Sequence, residues 1–322
     1  MTNDSLHTDE IPISLDLVRT LVDNEFPEYS SLPLRPFGAS GSSNILFRLG
    51  DNLVVRLPRQ PDGSKSIQKE FRWLPALADQ LPVAVPKLVA LGSPTNVYEQ
   101  YWSIAVWLPG ELPPAYQSGD AIDPDNTLMA NDLADFILAL RNIEVPQEAN
   151  HYKSLRWYRG RPLMEFDPWM KKTIEQCRSI KGLDLYIDVD LDLIASIWTQ
   201  SLALPGATSV TTDSWYHADL VAENLLTTNG RLSGVLDFGC LSIGDPTIDL
   251  HGAWEIFNPD AREAFRTRLD ISDAEWLRGR AWALAIAVGV FSYYWDTMPG
   301  RRGDRLAMAR NVLRECSDAK SN

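Results

Sequence analysis

The chain has 322 residues, 45% of them hydrophobic, enough for one large core or two of ordinary size and too many for a disordered protein. Acidic residues outnumber basic ones, 43 to 30, for a formal charge of −13. That sign opposes a phosphate backbone, which argues against nucleic acid as a partner and for neutral or cationic small molecules.

The opening MTNDSLHTDEIP carries acids and no apolar run, so it does not read as a signal peptide. The longest near-apolar stretch, 281–295, is shorter than the ~18 residues that span a bilayer and reads as a buried helix, which predicts no membrane partner. Cys177, Cys240 and Cys316 show neither metal-ligand spacing nor an even-numbered framework. They read as reduced, buried thiols of a cytoplasmic protein.

In chain order, Ser14 caps a segment in which Leu15, Leu17, Val18, Leu21 and Val22 recur at helical spacing until Pro27, predicting a helix over 14–26. A loop of small residues, GASGSSN, occupies 38–44. The period then changes: ILFRL at 45–49 and LVVRL at 53–57, around Gly50-Asp51-Asn52, predict a β-hairpin. Ile67, Phe71, Leu74, Ala78 and Leu81 mark one face of a helix kinked at Pro75 and stopped by Pro82. Residues 85–91 and 102–107 predict two more strands, the second broken by Pro109-Gly110.

From about 111 helical patterns take over. Leu128, Leu133, Phe136, Ile137 and Leu140 form one stripe; Leu191, Ile194, Trp198 and Leu202 form another; a Ser272/Glu275 capping box opens a long segment at 273–296. The order predicts an α+β chain of two lobes, a small antiparallel-sheet N-lobe over 1–108 and a larger, mainly helical C-lobe over 109–322.

The C-lobe carries one more hairpin, because LLTT, Asn229-Gly230 and RLSGVL match strand, two-residue turn and strand. His217, Asp219 and Asn224 stand just before it, in WYHADLVAEN, and Asp237-Phe238-Gly239 just after. Asn224 lies five positions before Asn229 and Asp237 seven after Gly230. At ~3.3 Å per residue both side chains emerge near the open end of the hairpin, beside Asp219. Two carboxylates and an amide oxygen suit Mg2+, which keeps coordination positions for phosphate oxygens and water. A carboxylate off the metal can accept a proton from a hydroxyl nucleophile. Alone, an H-x-D with an Asn five residues after the Asp is a weak signal that reads more readily as turn-stabilising; the D-F-G beyond the hairpin tips the balance to a site.

The order H-x-D-x-x-x-x-N, hairpin, D-F-G resembles the catalytic segment of kinase-fold phosphotransferases. Its continuation, Gly244-Asp245-Pro246-Thr247-Ile248-Asp249-Leu250, resembles the aminoglycoside phosphotransferase branch, which includes macrolide and choline kinases. The longer activation segment and A-P-E motif of protein kinases are not visible. The resemblance covers roughly residues 36–255 and implies a two-lobed protein-kinase-like fold. It also implies in-line transfer of the γ-phosphoryl group of ATP or GTP to a hydroxyl of an aminoglycoside, macrolide or related small molecule, an antibiotic-resistance activity in the first two cases.

The resemblance assigns roles. Asp219 would orient and deprotonate the acceptor hydroxyl, with His217 beside it holding the loop more than moving a proton. Asn224 and Asp237 would hold Mg2+, and Asp249 would brace the loop through backbone amides. In the N-lobe, Ser42 of the small-residue loop would cover the phosphates, Arg56 would reach them under the orientation of Glu70, and Val54, on the same strand face, would wall the base. Val106 and Leu108 fall at the hinge whose backbone meets the purine.

Two positions depart from the family. Lysine is common where this chain has Arg56, whose guanidinium is a fixed fork rather than a point charge; a surface role is the alternative, and Arg59 could share its job. Ala218 stands where glycine is usual, and a methyl group there restricts φ > 0, so either the backbone avoids that region or the loop is altered. These departures keep a nucleotide-binding pseudokinase or regulatory module as the alternative function, while the lack of a G-x-S-x-G motif disfavours a hydrolase. For the acceptor, Asp184, Asp188, Asp190, Asp192, Glu255 and Asp260 either attract a polycation or form a solvated acidic face. Tyr158, Arg159, Trp169 and Trp254 either line a pocket or belong to the core. The reading is equally compatible with a monomer and a homodimer.

Overall fold

The computed structural model describes residues 6–7, 9–38, 41–117, 126–156, 159–186, 188–210 and 213–321. It divides into two compact units, Met1–Asp79 with Ala84–Pro109 and Asp237–Gly239, and Gln80–Val83 with Gly110–Leu236 and Cys240–Asn322.

The first unit begins with α1 (Leu15–Glu25), where the Ser14 hydroxyl accepts the Leu17 N–H at 3.1 Å and so satisfies one of the donors a helix start leaves open. β1 (Leu34–Pro36), β2 (Asn44–Leu49) and β3 (Leu53–Pro58) precede α2 (Ser64–Ala78), and β4 (Leu88–Gly92) and β5 (Trp102–Val106) follow it. The five strands form an antiparallel sheet in the order β1-β2-β3-β5-β4. Val18, Leu21 and Val22 of α1 pack with Phe47, Leu49, Val55, Leu57, Trp102 and Ile104 of the sheet. That contact leaves Val54 and Arg56 on the other face of β3, as alternation requires.

Two expectations need correction here. α2 buries Ile67, Glu70, Trp73, Leu74 and Leu77, whereas Phe71 is exposed. The helix is turned to bring Glu70 inward to a cation on β3, and that rotation leaves Phe71 outside. β4 starts at Leu88 rather than at 85, consistent with Pro86, which has no N–H for a ladder.

The second unit contains α3 (Thr127–Asn142), α4 (Leu163–Arg178), α5 (Leu191–Ser201), β6 (Ser214–Tyr216), β7 (Leu225–Thr228), β8 (Arg231–Val235), β9 (Ser242–Gly244), α6 (Ala253–Ile256), α7 (Pro259–Leu269), α8 (Asp273–Tyr294) and α9 (Pro299–Ser321). The Ser272/Glu275 box opens α8, which buries Trp282, Leu284, Ile286, Val288 and Phe291 on several sides, the pattern of a central helix. None of the described helices is long and apolar enough to cross a membrane. Cys177 and Cys316 are buried and Cys240 is half-buried. Leu128, in the first turn of α3, is the exposed member of its predicted stripe.

Asn229 and Gly230 both have left-handed backbone (φ 53° and 73°), as a type I′ turn between β7 and β8 demands. The ladder slips between Leu226 and Thr227, with Leu226 opposite Gly234 and Thr227 opposite Leu232, so Ser233 is an extra residue. This bulge absorbs one residue of the offset between the two arms of the hairpin. The Leu236 N–H consequently donates to the Asn224 carbonyl at 2.8 Å, and Asp237 is the next residue along.

Candidate active site

The loop that follows β6 is built around Asp249. Its Oδ1 accepts the Ala218 N–H at 2.6 Å and its Oδ2 the His217 N–H at 2.9 Å. Asp249 lies in a 3-10 turn, Pro246–Leu250, whose start is capped by Asp245 accepting the Thr247 N–H at 3.0 Å. Gly252 lets that segment close on the loop, since a Cβ there would sit 1.9 Å from the Leu220 carbonyl oxygen.

His217 is fully buried. Its Nδ1 accepts the Asp219 N–H at 3.2 Å, which puts the ring proton on Nε2, 2.9 Å from the Leu236 carbonyl. The imidazole thereby links the loop to the end of β8. Ala218 has φ 71°, so the backbone enters the left-handed region despite the methyl group. Of the two outcomes open for this position, the glycine-like one holds, and the loop keeps its course.

The Asp219 carboxylate is partly exposed and held from two sides. Asn224 Nδ2 donates to its Oδ2 and to its main-chain carbonyl, both at 2.9 Å. Arg159 Nη1 donates to its Oδ1 and to the Ala218 carbonyl, also both at 2.9 Å. Burial pushes this carboxyl up, but Arg159, with His251, Arg305 and His217, outweighs it and holds the group well below the usual carboxylate range. With its amide nitrogen spent on Asp219, Asn224 has its oxygen left as the donor atom for a cation.

Arg159 precedes α4 and is fixed through its backbone: the Tyr216 hydroxyl donates to its carbonyl, and the next carbonyl, of Gly160, accepts the Asp245 N–H at 2.8 Å. Further along, Glu255 is buried, accepts the Ala222 N–H at 2.9 Å and pairs with Arg305, while Glu223 pairs with Arg301 at 2.7 Å and Arg305 at 3.5 Å.

In the first unit, Arg56 makes the fork contact with Glu70, Nη1 to Oε2 at 2.5 Å and Nη2 to Oε1 at 3.0 Å. Both residues are buried, so Arg56 has no surface role. Burial opposes the guanidinium charge, and Glu70 more than offsets it. Asp237 Oδ1 lies 4.0 Å from Arg56 Nη2 and accepts the Gly239 N–H at 3.2 Å. The Asp237 backbone is left-handed, a conformation aspartate tolerates better than most residues.

Arg59 does something other than share this pairing. It forms an ion pair with Glu10, and its Nε and N–H donate to the Gly41 and Ser43 carbonyls at 3.0 and 2.9 Å. The intervening Ser42 carbonyl meets His7 Nε2 at 2.8 Å, so the described part of the small-residue loop is tied down through its carbonyls; Ala39 and Ser40 lie outside the described residues. Val54 is buried beside Arg56 on β3. The Val106 and Trp107 N–H groups donate to the Lys87 and Asn52 carbonyls at 2.9 and 2.8 Å.

The remaining candidates separate. Trp254 is core, stacked at 4.4 Å on Trp276, whereas Trp169 is exposed and packs its ring on Phe166; Tyr158 and the Asp184 side chain lie outside the description. Asp188 and Asp192 are paired with Arg310 and Arg178, Asp190 caps α5, Asp260 is exposed, and Glu255 is neither solvated nor free for a polycation. Arg301 and Arg305 drew no attention in the sequence. The signal was the RRGDR run at 301–305, which puts two arginines one helical turn apart on α9.

A five-stranded unit carrying a strand arginine paired with a helix glutamate, and a helical unit carrying a braced H-x-D-x-x-x-x-N loop, define a two-lobed α+β fold of the protein-kinase-like class. The chain belongs to the Phosphotransferase enzyme family, which matches residues 34–282, and is a phosphotransferase for hydroxyl groups of small molecules. Thiamine kinase of Escherichia coli (strain K12) is 24% identical over 312 residues, covering 92% of this chain and 93% of that protein. Among solved structures, the GDP complex of wild-type aminoglycoside 2'-phosphotransferase-IIIa superposes with a TM-score of 0.69 at 20% identity, covering 96% of this chain and 100% of its own. A macrolide 2'-phosphotransferase from Brachybacterium faecium gives 0.59 at 21% identity, covering 94% and 98%.

Proposed function

We propose that this enzyme transfers the γ-phosphoryl group of ATP or GTP to an acceptor hydroxyl oriented by Asp219. The observation that carries the reading is the Asp219 carboxylate itself, kept ionised by Arg159, anchored by Asn224 and mounted on a loop that Asp249 braces.

The acceptor hydroxyl donates its hydrogen bond to Asp219, and its oxygen attacks the γ-phosphorus in line with the leaving oxygen. The new P–O bond forms as the bond to the β-phosphate oxygen breaks, the proton passes to Asp219, and nucleoside diphosphate departs. A carboxylate held so acidic is a weak base, so its main contribution is to aim the hydroxyl, with proton transfer following bond formation. Arg56, oriented by Glu70, takes the donor phosphates under the loop containing Ser42; Val54 flanks the base, and the backbone of Val106 and Leu108 meets it. Mg2+, held by the Asn224 amide oxygen and the Asp237 carboxylate, would neutralise charge on the β- and γ-phosphates.

The relatives name three acceptors between them, an aminoglycoside, a macrolide and thiamine, and all three belong in the assay. We place the enzyme in the cytoplasm. The test is Asp219→Asn, which keeps the shape and removes the charge. Transfer should fall by about 10²-fold or more on the general-base scale while binding of a fluorescent nucleotide persists. Wild-type turnover in that variant, or nucleotide binding without transfer to any acceptor by the parent enzyme, counts against the reading.

A further inference from the structure

We propose that Arg159 sets the acceptor preference of this enzyme against polycations, so that its substrate is a hydroxyl compound bearing at most one positive charge. The inference rests on the reading of Asp219 as the residue that faces the acceptor. It goes against the charge of the whole chain, which by itself favours cationic partners.

A polyamine is recognised through carboxylates that still need a cation. Among the described residues, Asp219, Glu223 and Glu255 on the catalytic loop and beside it each already have an arginine, and the Asp249 carboxylate behind the loop is taken up by the His217 and Ala218 N–H groups. Arg159 lies 2.9 Å from Asp219 Oδ1; Arg301 lies 2.7 Å from Glu223; Arg305 bridges Glu223, at 3.5 Å, and Glu255. Asp304, between the two α9 arginines in sequence, is a further acid coupled to this group, and burial pushes its carboxyl up. Of Asp219, Glu223, Glu255 and Asp304, the three arginines leave at most one carboxylate without a counter-charge.

The arginines are also built in. Arg305 is almost fully buried, and the Arg159 side chain is 18% exposed, with Nη1 shared between Asp219 and the Ala218 carbonyl. The Tyr216 hydroxyl on its own carbonyl and the Asp245 N–H on that of Gly160 hold the backbone that carries it. An ammonium group on the acceptor, placed next to the hydroxyl that Asp219 aims, would meet a guanidinium that cannot withdraw without giving up those contacts. The arrangement leaves hydroxyl recognition intact and removes the electrostatic gain a polycation depends on.

The experiment is calorimetric binding of an aminoglycoside and of the same compound with its amines acetylated, to the wild type and to Arg159→Gln, Arg159→Glu and Arg159→Lys, each checked for a native melting transition. The acetylated compound should bind the wild type at least as tightly as the polyamine. Arg159→Gln and Arg159→Glu should tighten the polyamine by about tenfold, roughly one power of ten in Kd, with the acetylated form little changed. Arg159→Lys should behave as the wild type. Polyamine binding the wild type tenfold tighter than its acetylated form overturns the inference, as does unchanged polyamine affinity in both charge-removing variants, or loss of discrimination in the lysine variant, which would mark a structural role. The readout is binding, so it stands whether or not phosphoryl transfer is detected.

Discussion

The Asp249 carboxylate and the Ala218 N–H meet at 2.6 Å, and this bond holds an alanine at φ 71°, where an L-residue carries strain. The left-handed region costs a non-glycine residue roughly 1–2 kcal/mol. The strain is sustained because the second Asp249 oxygen fixes the neighbouring His217 N–H and Arg159 fixes the Ala218 carbonyl, so the peptide on either side has no other orientation open. Ala218→Gly should therefore stabilise the protein by up to about 1 kcal/mol, the relieved strain less the extra chain entropy glycine brings to the unfolded state. Ala218→Val, β-branched at the same φ, should cost more than about 2 kcal/mol. Urea unfolding of the two variants checks both signs; a glycine variant less stable than the parent would contradict the strained loop.

The same pair shows what the sequence disclosed and what it did not. The bracing of the loop by Asp249 was readable from the spacing of H-x-D and G-D-P-T-I-D once the family resemblance was seen, and so were the hairpin, the strand arginine and the helix glutamate. The value of φ at Ala218 was not, because a single residue cannot say which of two backbone outcomes its neighbours enforce. The bulge at Ser233 was hidden for a related reason: an extra residue shows in register, not in composition. The face of α2 was misjudged because hydrophobic periodicity sees Phe71 and not the pull of a buried ion pair on Glu70. Arg159 could be noticed but not placed, since its partner Asp219 is sixty positions away and nothing local signals the contact.

Arg56 and Glu70 offer a second test. Glu70 is fully buried and its charge is matched by a two-pronged contact, so Arg56→Ala strands a carboxylate and should cost about 3–5 kcal/mol. Arg56→Lys keeps the charge and gives up one prong, with a cost of about 1–2 kcal/mol. Thermal unfolding ranks the two variants. Nucleotide titration should rank them the same way, the lysine form binding within about tenfold of the parent. Equal destabilisation by Ala and Lys would mean that fork geometry, not charge, is what this site needs.

The acid limb of stability provides a third test, through His251. Burial pushes this imidazole down to about 4 from an ordinary 6.5, its Nδ1 facing the Ile248 carbonyl and Asp219, Arg159 and Arg305 acting on it from around. A histidine of depressed pKa is neutral in the folded state while the unfolded chain takes up a proton, so stability is fully present above pH 6.5 and is lost as pH falls from there toward 4. That pKa difference corresponds to about 3 kcal/mol over the window. Asp249 and Glu255, both pushed up by burial, act with the opposite slope where they titrate, so the whole-protein curve mixes the contributions. His251→Asn keeps a donor for the Ile248 carbonyl and removes the titration. Chemical denaturation of both proteins from pH 7.5 to 4.5, a range that starts above the falling limb and covers most of it, isolates the histidine. The parent should lose stability relative to the variant as pH falls, and a difference that stays flat across the range would mean that His251 is protonated as readily in the fold as outside it.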